Sequence, residues 1–169
     1  DSFEGLEYFK NLEKLIAPQV YMDLDKPLSI SPLKNLKKLM YLELYQNNIE
    51  DLSPISNLNN LEFLDLSCNS IRDITPLKNL TKLQELNLRK NGNIKDISSL
   101  ENMRNLYVLQ LDENQIKDIS VLKNLDELEY LDLLSNQIED ITPLKDLINL
   151  NELYLDENNI KDYSPLKDN

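Results

Sequence analysis

Leu61-Glu62-Phe63-Leu64-Asp65-Leu66-Ser67-Cys68-Asn69-Ser70-Ile71-Arg72-Asp73-Ile74-Thr75-Pro76-Leu77-Lys78-Asn79-Leu80 holds two different patterns back to back. Leu64 and Leu66 alternate with Phe63, Asp65 and Ser67, which is the period of a strand with one buried face. Asn69 closes that strand, which is at most about five residues long. The following Thr75-Pro76 reads as a helix start, where the hydroxyl caps free amides and proline suits the first position. Few residues remain before Leu80 and the next unit at Leu83, so a short 3-10 turn is predicted instead of an α-helix. Asp73, two positions ahead of Thr75, is expected to cap the same turn.

The pattern recurs along the chain. Its opening leucines are Leu39, Leu61, Leu83, Leu106, Leu128 and Leu150, at steps of 22, 22, 23, 22 and 22 residues. Asparagine recurs at Asn47, Asn69, Asn91, Asn114, Asn136 and Asn158. A stacked asparagine column can give its amides to the backbone of neighbouring turns, so these residues are read as structural. Aspartate recurs at Asp51, Asp73, Asp96, Asp118, Asp140 and Asp162. One carboxylate per unit is too sparse for a calcium loop, and no metal is expected. The single longer step contains Asn91-Gly92-Asn93, where glycine can take positive φ, and a local irregularity is expected there.

A single unit cannot bury its leucines alone. Units stacked about 4.8 Å apart pair their strands into one parallel sheet and share a continuous core. Alternation leaves the other sheet face open to solvent, which is the signature of a curved solenoid and not of a closed α/β domain.

These units resemble the 22-residue leucine-rich repeats of bacterial internalin-like proteins. The resemblance implies an α/β solenoid: a curved array with a parallel β-sheet on the concave face and short 3-10 turns on the convex face. Residues 1–14 then form a lead-in half repeat or partial cap, carried by Glu4-Gly5-Leu6-Glu7-Tyr8-Phe9-Lys10-Asn11-Leu12. Residues 15–169 form the repeat domain, with an irregular unit over 15–38 and regular units from 39, 61, 83, 106, 128 and 150. In the irregular unit Val20 and Met22 are expected at strand positions and Asp25 in place of the asparagine. The last unit has no repeat after it, so a monomer or weak end-to-end association is expected.

Composition narrows the function. The chain carries 18 basic and 30 acidic residues, a net charge of -12 over 169 residues. That balance argues against nucleic acid and against anionic membrane surfaces, and no apolar run approaches the ~20 residues of a membrane span. Histidine is absent and only two glycines occur, which removes the commonest general base and any glycine-rich phosphate loop. The lone Cys68 has acidic neighbours and reads as inert. Neither a catalytic residue nor a cofactor is expected.

Register assigns the outward positions. The residues expected to contact a protein partner are Tyr41, Glu43 and Tyr45; Phe63 and Asp65; Tyr107, Val108 and Asp112; Tyr130, Asp132 and Leu134; Tyr154 and Asp156. Tyr21 is expected to join them. Exposed tyrosine and phenylalanine on one face resemble an interface hot spot. The face is acidic apart from Arg89 and Lys90, which suits a partner with a basic surface. The expected function is a protein-binding module of a bacterial surface or secreted protein. A cytoplasmic regulatory scaffold, like the leucine-rich-repeat regulator of protein phosphatase 1, stands as the alternative.

Overall fold

The structure, a computed structural model, describes residues 3–19 and 26–167. Seven strands of three residues lie in sequence order in one parallel sheet. They are β1 (Lys14–Ile16), β2 (Tyr41–Glu43), β3 (Phe63–Asp65), β4 (Glu85–Asn87), β5 (Val108–Gln110), β6 (Tyr130–Asp132) and β7 (Glu152–Tyr154). Each central leucine pairs with the next: Leu15 with Leu42, then Leu64, Leu86, Leu109, Leu131 and Leu153. Each return crossing holds one short 3-10 turn, as at Thr75–Asn79 and Thr142–Leu144, and the described residues contain no α-helix. The chain is therefore a leucine-lined parallel solenoid, and the unit length explains why: a 22-residue circuit has room for a strand, a tight bend and one 3-10 turn.

The core is a stack of identical layers. In the third unit Leu61, Leu64, Leu66, Ile71, Ile74, Leu77 and Leu80 are all buried. Each such side chain contributes about 1.5–3 kcal/mol by leaving water, and only because a neighbouring layer covers it. The last unit shows the dependence: Leu150, Leu153, Ile160 and Leu166 are only partly buried.

The asparagine column does what its spacing predicts. Asn69 Nδ2 donates to the carbonyls of Leu44, Leu66 and Ser67 at 3.1, 2.9 and 3.2 Å. Its Oδ1 accepts from the backbone N–H of Asn47 and Ile49 at 3.0 and 2.9 Å. Asn136 likewise donates to Leu111, Leu133 and Leu134 and accepts from Ile116. The inserted residue interrupts this ladder at one point. Gly92 takes φ 71°, and the buried Oδ1 of Asn114 is left without a hydrogen-bond partner, although its amide still bonds Leu88, Leu111 and Asp112.

Of the two capping groups expected at each turn, the aspartate caps it and the hydroxyl does not. No hydroxyl caps the 3-10 turn that it opens. The preceding aspartate accepts the turn's N–H instead: Asp51 from Ser53, Asp73 from Thr75, Asp118 from Ser120 and Asp140 from Thr142, all at 2.8 Å. The hydroxyl of Ser53 donates to the second oxygen of Asp51 at 2.9 Å. Carboxylate geometry wins because two residues of separation let it reach the amide while the Ser or Thr hydroxyl turns back toward it.

The N-terminal unit departs from the expected register. The positions of Val20, Met22 and Asp25 lie outside the described residues. The strand that pairs with β2 is Lys14–Ile16, so Leu15 fills the strand position and β1 runs across residue 14, the expected end of the lead-in. Before it, Phe9 N–H bonds Leu6 O at 2.9 Å and Leu12 N–H bonds Phe9 O at 2.8 Å. The same two steps recur at Leu36 and Leu39, so Leu6–Leu12 follows the second half of a repeat. Buried Phe3 packs on the core ahead of it.

One feature carried no sequence signal. The residue ahead of each column asparagine has positive φ: Gln46, Cys68, Lys90, Glu113, Ser135 and Glu157 lie between 54° and 58°. None is glycine, and each accepts local strain. The strain is offset by bonds to the next unit, as when Cys68 N–H donates to Arg89 O at 2.9 Å and Ser135 N–H to Asp156 O at 2.9 Å.

Two stability predictions follow from the columns. Asn136→Ala should destabilise more than Asn114→Ala, by about 1 kcal/mol, since only Asn136 loses an acceptor bond; equal shifts in denaturant midpoint would contradict the broken ladder. Asp118 is held below the usual carboxylate range by its hydrogen bonds to Ser120. A depressed folded value means its contribution is present above the unfolded value of about 3.9 and is lost as pH falls through the folded one. Asp118→Ala should therefore lower stability by about 1 kcal/mol near neutral pH, with the gap to the wild-type chain closing in acid.

Candidate functional site: the concave sheet face

In-register pairing turns the outward residues into columns. The first is Lys14, Tyr41, Phe63, Glu85, Val108, Tyr130 and Glu152; the second is Ile16, Glu43, Asp65, Asn87, Gln110, Asp132 and Tyr154. Beyond the strand ends, Tyr45, Ser67, Arg89, Asp112, Leu134 and Asp156 occupy equivalent positions of successive units. Tyr21 lies outside the described residues. Lys14 and Ile16 were missed because the first strand was placed too late; Leu12-Glu13-Lys14-Leu15 repeats the Leu39-to-Leu42 spacing and was the available signal.

The aromatic residues form two separate groups. Tyr41 and Phe63 stack with centroids 4.1 Å apart and planes 3° from parallel, and Lys14 Nζ lies 3.7 Å from the Tyr41 centroid. Tyr130 and Tyr154 meet at 5.6 Å with a tilt of 43°. Three strand spacings, about 14 Å, separate Phe63 from Tyr130, with Glu85 and Val108 between them in the first column. Tyr107 is not on the strand face. It stands just before β5 in an open groove with Glu62, Lys82, Gln84, Arg104 and Glu129, and its hydroxyl reaches Glu85 at 2.6 Å.

Carboxylates hold the phenols. Tyr41 donates to Glu43 and Tyr154 to Glu152, both at 3.0 Å. Burial, the Glu43 bond and nearby acids raise the Tyr41 hydroxyl above its ordinary value. The bond to Glu85 comes first for Tyr107, and the bond to Glu152 for Tyr154. Tyr130 is raised mainly by burial and by Asp132. All four phenols are favoured in their neutral form.

Beyond Lys14, the basic residues of the face, Arg89 and Lys90, are neutralised from the next unit. Arg89 Nε lies 3.3 Å from Asp112, and Lys90 3.0 Å from Glu113. Asp112, expected as an outward contact, is instead only 2% exposed. The first of those pairs is an ion contact without hydrogen-bond alignment, and Asp112 Oδ1 has no partner. These orphaned atoms and Asn114 Oδ1 all lie close to the 23-residue step. Asp112 therefore serves Arg89 and is covered, while the remaining carboxylates Glu43, Asp65, Glu85, Asp132, Glu152 and Asp156 set the sign of the face.

Nothing in this arrangement gathers reactive groups into one pocket. Carboxylates recur in columns, and among the described residues no cluster of three or more His, Cys, Asp or Glu has metal-holding geometry. No described helix is long and apolar enough to cross a membrane.

The fold and face define a class. The family model for leucine-rich repeats matches residues 37–79, 81–124 and 126–168. Internalin C2 of Listeria monocytogenes has the same structure with a TM-score of 0.88 and 39% identity, over 98% of this chain and 71% of that one. A second Listeria internalin, InlF, matches with a TM-score of 0.85 and 36% identity over 95% of this chain, which spans about half (52%) of it. The ectodomain of the Arabidopsis thaliana receptor kinase GASSHO1/SCHENGEN3, solved with Casparian strip integrity factor 2, shares the fold at a TM-score of 0.76 and 24% identity, covering 90% of this chain and 19% of that one. No curated protein sequence matches. This chain belongs to the internalin-like leucine-rich-repeat proteins, whose fold is a protein-interaction scaffold.

Burial raises Asp112 above the ordinary carboxylate value, with Asp132 adding to the shift and Arg89 opposing it. A raised folded value means the site contributes most below the unfolded value of about 3.9 and loses that contribution as pH rises through the folded one. Asp112→Asn should gain on the wild-type chain in denaturant midpoint as pH rises from about 4 to 7. A difference independent of pH would show that the carboxylate is not the source of the cost.

Proposed function

We propose that the concave face binds a protein partner with a basic surface, as part of a bacterial surface or secreted protein. The observation that carries this reading is the coincidence of two aromatic groups with an acidic face whose only basic residues beyond Lys14 are already paired. Aromatic side chains supply large contact area at low entropic cost, and unpaired carboxylates steer a basic partner to them. Internalins at 36–39% identity support a bacterial setting over the phosphatase-regulator alternative. The contact residues are Tyr41, Glu43, Tyr45, Phe63, Asp65, Val108, Tyr130, Asp132, Leu134, Tyr154 and Asp156, with Tyr107 in the adjoining groove. Binding involves no catalytic step, nucleic acid or membrane insertion.

Affinity capture with this chain and with a folded variant carrying Tyr41→Ala, Phe63→Ala, Tyr130→Ala and Tyr154→Ala tests the reading. A protein held by the first should be lost by the second, and its association should slow as salt rises past about 0.15 M. Equal capture by both chains would place the contact elsewhere.

A further inference from the structure

The two aromatic groups differ in whether a cation of the chain stands against them. At the N-terminal one, a cation of the chain itself is in place: Lys14 Nζ sits 3.7 Å from the Tyr41 centroid. The Tyr41 hydroxyl donates to Glu43, so its ring is enriched in electron density just where the cation lies. The C-terminal group repeats these parts. The Tyr154 hydroxyl donates to Glu152, the Tyr130 ring stands beside it at 5.6 Å and a tilt of 43°, and register puts Asp132 next to Tyr154 and Glu152 next to Tyr130. No ion pair among the described residues involves Asp132 or Glu152. Tyr154 is 40% exposed.

We propose that Tyr130 and Tyr154, flanked by Asp132 and Glu152, seat a lysine or arginine side chain of the protein partner, as Tyr41 seats Lys14. Two tilted rings give the cation two electron-rich faces instead of one. The carboxylates add charge attraction and hydrogen-bond acceptors that a neutral side chain of the same length would leave unused. Glu85 and Val108 separate this seat from the occupied one, so it is a distinct subsite and not an extension of the Tyr41–Phe63 stack. The inference rests on the concave-face reading and specifies which part of it recognises charge.

The test uses the whole chain with tyrosine-ring NMR signals as the readout. The probes are N-acetyl-lysine methylamide and N-acetyl-arginine methylamide, with N-acetyl-norleucine methylamide as the neutral control. The cationic probes should shift the Tyr130 and Tyr154 signals saturably and leave Tyr41 unmoved. Glu152→Gln should weaken that binding about fivefold; Tyr154→Leu, whose exposed position tolerates it, should abolish it. Lys14→Ala should make the Tyr41 signals respond in turn. Equal shifts from the neutral probe, or no saturable shift at Tyr130 and Tyr154, would overturn the proposal. Capture of a protein by the wild-type chain and its loss in the four-alanine variant would still stand in that case, so the two readings fail separately.

Discussion

Everything else in this molecule depends on the column of buried asparagines. A coil that turns back on itself every 22 residues must bury bent backbone whose N–H and C=O groups cannot join a sheet or a helix. Asn69 and Asn136 answer that demand with up to three donated bonds and one or two accepted ones each, reaching both their own turn and the preceding one. This ties each layer to the one before at a fixed spacing. The strands then fall into register, the leucines meet, and the outward residues line up as columns. The columns of the concave face are thus a by-product of satisfying buried polar groups beyond the strand ends.

The interrupted link at Asn114 shows how local the tie is. Beside the additional residue at Gly92 one accepted bond is missing, yet β4 and β5 keep the same pairing as every other strand. Nearest-neighbour coupling confines the disturbance to a single interface. It also falls in the middle of the array, between the two aromatic groups, close to where Asp112 is covered and Arg89 is paired.

Function follows from the columns because a parallel solenoid presents side chains on a regular grid. Phenols anchored by Glu43 and Glu152 are held in place before any partner arrives, which lowers the ordering cost of binding. The internalin relatives share this scaffold over nearly the whole of the present chain, and the binding proposed above draws on side chains such as Tyr41, Phe63, Tyr130 and Tyr154.

Much was legible in the sequence alone. The spacing of Leu64, Leu66, Asn69 and Leu77 determined the strand, the bend, the 3-10 turn and their stacking, because each needs its own periodicity and no other element fits the interval. Outward positions such as Tyr41, Phe63 and Asp132 followed from alternation. Three things were decided only by the tertiary structure. The first strand is Lys14–Ile16, since pairing with β2 outweighs the weaker local pattern of an irregular unit. Positive φ at Cys68 and its equivalents arises from bonds to the next layer, which local propensity does not register. Asp112 is covered and Tyr41 is met by Lys14 because charge and burial depend on the neighbouring coil, and a sequence read one unit at a time contains no neighbour.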